Sequence, residues 1–474
     1  MIDGIAPDTL PMLHFRGLLE DRVRLAAVIV RRHGQTPPPL HTPDGAHEAT
    51  PIGDGAGATL WRYTFELPVG RDAGYTFDGR RYAVTTDFSG DLSVAYTSCN
   101  GQEHGDLARP VASRNRMWRQ LAERNARAPV HLLLQGGDQI YADEATHAHP
   151  LTRDWPDVPD RRLDPETRAE LARSLHDAFF LRYATQAAQP GYADVAARIP
   201  SLCMWDDHDI CDGWGSLPAK VLDSSIGRCL FSTARAAFLM FQMACTPDER
   251  PDIVTGDGHL SWHVALPGVS FVAPDLRSTR RPDRVMDDAC WTDLETVFGK
   301  ANSGHMFLLS SVPALGPRLS LIERAMQLTN RMEKYEDDLR DQWQSRAHRR
   351  EWQRFLRLLL DRHGDPDTPV TVLSGEIHLA TRATMDCSAG PLHQLVASGI
   401  SHPAPPRLFA RGLGTLARLG EAPLPEHPIR LRSLPGRPGI YCAQRNYLML
   451  ERSSGSWTAQ WALEKTGLTP PLAL

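Results

Sequence analysis

The sequence predicts an α/β protein in two parts: a small antiparallel β-sandwich over residues 1–90, then a layered α/β domain over residues 91–474. Three observations carry this reading. The first ninety residues hold period-2 alternation and hairpin signals. Beyond them, helical and strand-like segments alternate. Four of the later strands run straight into polar clusters, and in open α/β sheets sites form outside the carboxyl ends of strands.

In the first part, Trp61, Tyr63, Phe65 and Leu67 alternate with Arg62, Thr64 and Glu66, the signature of a half-buried strand. Tyr75 to Thr85 carries Asp78-Gly79 between apolar residues, a hairpin signal. Leu25 to Val30 is a further strand, and the Pro/Gly-rich stretch Thr36 to Gly57 reads as a loop.

In the second part, helices are expected at Val111–Arg127, Pro165–Gln189, Asp223–Ala244 and Arg349–Arg362. Asp164 caps the second of these, with Pro165 at its first position. Gly364 stops the last. Strands are expected at Leu92–Thr97, Val130–Gln135, Ile199–Trp205, Trp262–Leu266, Val269–Ala273, Met306–Ser311, Val370–Leu373 and Gln394–Ala397. Tyr447–Glu451 and Trp457–Trp461 pair around Ser453–Ser456. Pro403 to Pro438 reads as a long surface loop.

Composition narrows the function. The chain has 52 Lys+Arg against 57 Asp+Glu, a formal charge of -5, which disfavours a general nucleic-acid or anionic-membrane binder. The eight cysteines form no CxxC pair, which removes zinc-knuckle and thioredoxin readings. The start has no apolar signal core, and the longest nearly apolar stretch, Ala234 to Ala244, is too short to span a bilayer. The expectation is a cytoplasmic enzyme with no membrane partner and no general nucleic-acid binding; the sequence leaves oligomeric state open.

The chemistry collects after four strands: Ser98-Cys99-Asn100-Gly101, Gly136-Gly137-Asp138-Gln139-Ile140-Tyr141-Ala142-Asp143, Asp206-Asp207-His208-Asp209, and Ser374-Gly375-Glu376-Ile377-His378. Each alone has a plainer reading, such as a Gly-Asp turn, an acidic helix start, a packed tyrosine or a buried thiol. If the strands are parallel neighbours, the clusters meet on one sheet edge. Carboxylates brought that close repel and take up protons unless a multivalent cation compensates them. Asp, Glu, His, Cys and Tyr are all potential ligands for such an ion.

The motifs Gly137-Asp138-Gln139-Ile140-Tyr141, Trp205-Asp206-Asp207-His208-Asp209 and Leu373-Ser374-Gly375-Glu376-Ile377-His378 resemble the PhoD-like phosphatases of the calcineurin-like metallophosphoesterase superfamily. Asp212-Gly213-Trp214-Gly215-Ser216 and His305-Met306-Phe307-Leu308-Leu309 resemble the non-secreted branch. Pro274-Asp275-Leu276-Arg277-Ser278 resembles a further strand end, and Ser98-Cys99 the first motif. The resemblance implies a four-layer αββα fold and a centre of two or more metals, Fe3+ with Ca2+, with Mn2+ or Zn2+ in other relatives. It implies that Asp138 bridges the metals, that Cys99, Tyr141 and His378 hold the iron-type metal, and that Asp207 binds the second. Glu376 stands where the family has Asp and would be a ligand with a shifted metal or an altered metal preference. His208 would be the catalytic residue at the phosphoryl group or leaving oxygen.

The expected activity is hydrolysis of a small phosphate ester, a monoester or diester, by metal-bound hydroxide. Two alternatives stand beside it. A nuclease-like phosphodiesterase would need an open basic groove; Arg277, Arg280, Arg281 and Arg284 form the local basic cluster, read as a solvated loop. A non-catalytic metal-binding or interaction protein would bind metal without turnover.

Overall fold

The computed structural model of the protein describes residues 4–70, 73–102, 104–159, 162–300, 303–317, 342–375, 378–418 and 420–474. Two large mixed sheets pack face to face. The first orders its strands Gly467–Leu468, Ser456–Leu463, Asn446–Ser453, Leu92–Thr97, Leu132–Gly136, Ser201–Met204, Met12–Leu18, Arg22–Arg32, Ala58–Pro68 and Thr50–Gly55. The second orders Trp262–Leu266, Val269–Ala273, His305–Ser310, Val370–Ser374, Gly390–Val396, Thr381–Cys387 and Ile429–Arg432. A small antiparallel sheet, with Leu40–Thr42, Gly45–His47, Gly74–Phe77 and Arg80–Ala83, stands beside the first.

The layers follow from which side chains are apolar. Phe271, Phe307, Leu309, Leu373 and Leu395 of the second sheet share one core with Val94, Leu134, Leu202, Leu448 and Trp461 of the first. The helices Arg116–Arg127, Pro165–Ala187 and Ser225–Gln242 add Trp118, Phe179 and Phe238 to the same core. On the far side of the second sheet, Met306, Leu308, Val370 and Val372 meet Trp291, Trp352 and Phe355 of the helices Asp288–Gly299 and Arg349–His363. The expected αββα layering is therefore present.

Buried indole N–H groups tie the two sheets together. Trp262 Nε1 donates to the Cys203 carbonyl at 2.8 Å, Trp461 Nε1 to the Val396 carbonyl at 2.9 Å, and Trp205 Nε1 to the Asp275 carboxylate at 2.9 Å. A buried donor left unpaired costs about 1–3 kcal/mol, so these bonds also fix which layers may pair.

Several local expectations are corrected. Thr36 to Gly57 is not a plain loop; it holds the strands Leu40–Thr42, Gly45–His47 and Thr50–Gly55, the first two paired as a tight hairpin and the third paired with Ala58–Pro68 across a two-residue turn. The Asp78-Gly79 hairpin, by contrast, forms as expected: these residues have φ of 48° and 70°, and Gly74–Phe77 pairs antiparallel with Arg80–Ala83. Strands from the first ninety residues run into the first large sheet, because Met12–Leu18 pairs in parallel with Ser201–Met204. The proline-rich stretch Pro403 to Pro438 is not one loop either. It contains the helix Arg407–Ala417 and the strand Ile429–Arg432.

Candidate metal centre

Three of the predicted strand ends are parallel neighbours in the first sheet: Leu92–Thr97, Leu132–Gly136 and Ser201–Met204. The fourth, Val370–Ser374, belongs to the second sheet, so the clusters meet across a sandwich and not along one sheet edge. Both sheets point the carboxyl ends of these strands to the same end. Hydrogen bonds stitch them there: Ser98 Oγ donates to the Ala397 carbonyl at 3.0 Å, and the Ile400 N–H to the Ser98 carbonyl at 3.2 Å.

Glycine permits this approach at two points. Gly137 has φ of 105°, and a Cβ there would lie 2.7 Å from the Asp206 Cβ. A Cβ on Gly375 would lie 2.5 Å from Ser98 Oγ. Three non-glycine residues at the same end also have left-handed backbone: Cys99 at 53°, Asp138 at 56° and His378 at 51°. Such residues persist only where the surroundings over-determine them, and they concentrate at functional sites.

Asp209 supplies much of that surrounding. Its fully buried carboxylate accepts the backbone N–H of Asp138 at 2.9 Å, Gln139 at 3.0 Å, Ile140 at 3.2 Å and Asp206 at 3.0 Å. Burial pushes its carboxyl up to about 7, although these N–H groups pull the other way.

Asp138 is the hub. On one side its Oδ2 lies 3.4 Å from Cys99 Sγ and 3.3 Å from Tyr141 Oη, and Tyr141 Oη lies 2.7 Å from His378 Nε2. On the other side Asp138, Asp207 and His208 bring one ligand atom each within 4.8 Å of one another. Asp138 Oδ1 is buried with no hydrogen-bond partner. Burial drives the Asp138 carboxyl well above the usual carboxylate range, and Asp206, Asp207 and Asp209 add to this against the pull of His208. A buried carboxylate oxygen with no donor, ringed by other acids, is the environment a cation stabilises. Thiol, phenol, imidazole and carboxylate are a donor set that fits one. Burial likewise holds the Tyr141 phenol above its ordinary value and His378, beside His402 and His208, below its own.

His208 differs. Burial alone would lower it, but Asp143, Asp207 and Asp138 together outweigh burial and raise it. Its Nδ1 lies 2.8 Å from Asp143 Oδ2, and its ring stacks on Tyr141 at 4.2 Å between centroids. Asp143 is held below its ordinary value by His208 and by nearby N–H groups, in spite of burial.

The structure thus brings together Cys99, Asp138, Tyr141, Asp207, His208 and His378. Glu376 lies outside the described residues. Sequence reasoning assigned no role to Asp143 or Asp209, although both stand inside the polar clusters it singled out. It passed over His402 entirely, whose ring stacks on His378 at 3.5 Å and on Tyr141 at 5.3 Å. The signal was available: Gly399-Ile400-Ser401-His402 follows the strand Gly390–Val396 just as the other clusters follow theirs.

The basic cluster is also corrected. Arg277 and Arg280 are each 1% exposed and do not belong to a solvated loop. Arg277 donates through Nε to Asp206, reaches Asp207 at 3.6 Å, and donates through Nη1 to the Trp214 carbonyl at 3.1 Å. It offsets two carboxylates that would otherwise crowd the centre.

The sequence profile of a family described as PhoD related phosphatase matches residues 102–335. A Saccharomyces cerevisiae protein described as uncharacterized is 22% identical over an alignment of 393 residues, covering 68% of this chain and 56% of that protein. The chain therefore spans little more than half the length of this curated relative. A solved structure described as the structure of PhoD aligns with a TM-score of 0.58 at 12% identity, over 98% of this chain and 89% of that one, which is a likeness of fold. The matched segment carries Asp138, Tyr141, Asp207 and His208, and over it the chain is similar to the PhoD-related phosphatases.

Proposed function

We propose that the protein is a metal-dependent phosphoesterase acting on a small phosphate ester, with Asp138 as the carboxylate shared by two cation positions. The observation that carries this reading is the double membership of Asp138. It contacts Cys99 and Tyr141 on one side, clusters with Asp207 and His208 on the other, and keeps one buried oxygen without a donor. Cys99, Tyr141 and His378 would hold one ion, a mixed sulfur, phenolate-oxygen and nitrogen set that suits a transition metal such as iron. Asp207 would hold the other, which an oxygen-preferring ion such as calcium suits.

When bound, such ions neutralise phosphoryl oxygens and make water a better nucleophile. The remaining tasks fall to side chains. His208, kept charged by Asp143, donates a proton to the leaving oxygen. Arg277 holds Asp206 and Asp207 in place. Tyr141 and His402 pack around the two imidazoles and keep their rings from turning.

A nuclease-like reading loses support, because Arg277 and Arg280 are buried and cannot line an open groove for a polyanion. The deciding experiment is metal analysis of the purified protein, joined to hydrolysis of p-nitrophenyl phosphate and bis-p-nitrophenyl phosphate, with and without chelator. Metal-dependent turnover that Asp138→Asn removes supports the proposal. Bound metal with no turnover of either ester would favour the non-catalytic reading.

A further inference from the structure

The helix Arg407–Ala417 presents an unusual surface. Leu408 is 80% exposed, Phe409 53% and Leu416 49%. At 100° per residue, these three fall on one arc of about 100°. Arg407, Arg411 and Arg418 fall on the neighbouring arc, and none of the three makes an ion pair among the described residues. The opposite side faces the body: Ala410 and Ala417 pack with Leu379 and Tyr441, and the half-buried Leu413 packs against them. The helix thus stands on Leu379, the residue that follows His378, with Leu408, Phe409 and Leu416 turned away from the protein.

Its charge is one-sided. No acidic residue occurs between Asp386 and Glu421, in a chain whose formal charge is -5. A second pair of exposed apolar residues, Leu107 at 45% and Val111 at 46%, lies on the segment joined to the same loop by Arg109, whose Nη2 donates to the Ser401 carbonyl at 3.1 Å.

We propose that this helix docks the protein on an anionic phospholipid surface, with Leu408, Phe409 and Leu416 entering the headgroup–acyl boundary and the arginines meeting lipid phosphates. Exposed apolar bulk beside unpaired guanidinium groups is the composition of an interfacial helix. No helix among the described residues is long and apolar enough to cross a membrane, and an 11-residue helix lies on a surface without spanning it. The sequence expectation of no membrane partner rested on net charge and spanning segments, neither of which registers a local helix face.

The test is flotation of the full chain with vesicles of phosphatidylcholine alone and of phosphatidylcholine with phosphatidylglycerol. Flotation with the mixed vesicles only is expected. The triple variant L408Q/F409Q/L416Q should lose it, and R407Q/R411Q/R418Q should weaken it roughly fivefold per arginine removed at low salt. Both variants alter exposed side chains, and an unchanged unfolding midpoint checks their fold. In addition, Phe409→Trp should shift its emission to the blue on mixed vesicles. Absence of flotation with either vesicle, or flotation that both triple variants retain, overturns the proposal. So does a dimer in solution that L408Q/F409Q/L416Q separates without any vesicle binding. The readout is association, so it stands apart from whether any ester is hydrolysed.

Discussion

Asp209 grips the loop that carries Asp138: its carboxylate accepts the Asp138 N–H at 2.9 Å and the next two N–H groups at 3.0 and 3.2 Å. One carboxylate therefore shapes the backbone so that another can face the centre. Asp209→Asn turns an N–H donor toward these N–H groups. The expected cost is about 2–4 kcal/mol, read as a lower urea midpoint, together with reduced metal content. An unchanged midpoint with full metal content would remove Asp209 from this role.

The ion pair of His208 and Asp143 separates proton delivery from its support. His208→Gln is expected to lower kcat by about 100-fold to 10,000-fold, the range for losing a general acid. Asp143→Asn should cost less, about 10- to 100-fold, because the imidazole remains while its orientation and charge are weakened. A leaving group that needs no protonation, such as p-nitrophenolate, should shrink the His208→Gln loss relative to an alkyl ester. Equal losses on both esters would contradict the acid role.

The two-sided contacts of Asp138 predict unequal metal losses. Asp138→Ala should strip metal from both positions. Tyr141→Phe keeps the ring that stacks on His208 and removes only the hydroxyl, which faces Asp138 Oδ2 and His378, so it should weaken one ion and spare the other. Elemental analysis after dialysis reads both. If Tyr141→Phe empties the site as completely as Asp138→Ala, the centre does not divide in this way.

Acid should unfold the protein through buried histidines away from the centre. Burial lowers His14 to about 3, with Arg16 adding to it. Burial lowers His305 to about 3, with His363 and His393 beside it, and His393 to about 4, with Arg382 beside it. Each folded value lies below the ordinary value of 6.5, so the unfolded chain binds more protons between them. Stability is complete above 6.5 and falls as pH drops toward 4, by roughly 2 kcal/mol per histidine. Urea midpoints at pH 7 and 4.5 measure this, and His305→Gln should flatten the slope. A midpoint that holds constant or rises on acidification would contradict it.

Most of the centre was legible because it obeys local rules. A strand followed by glycine and a carboxylate is visible in the chain, and Cys99, Asp138, Tyr141, Asp207, His208 and His378 all announce themselves that way. What was illegible depended on partners far along the chain. Arg277 looks like one member of a charged surface run; only Asp206, 71 residues away, makes it a buried counter-charge. The helix Arg407–Ala417 hides behind Pro403, Pro405 and Pro406 and contains Gly412 and Gly414, all helix-poor signals. Pro406 sits just ahead of its first turn, where proline is harmless. Packing on Leu379 and Tyr441, not propensity, sustains the helix.

The stitching of two sheets has a consequence for biosynthesis. Cys99 and Ser398, which meet at 3.1 Å, are 299 positions apart, and Tyr141 and His378 are 237 apart. No nascent chain that ends before His378 can close the centre, whatever its first sheet has achieved. If the centre holds ions as proposed, their capture waits until strands of both sheets have been made. An ion bound there would act as a clasp on the completed sandwich, favouring it over half-docked forms.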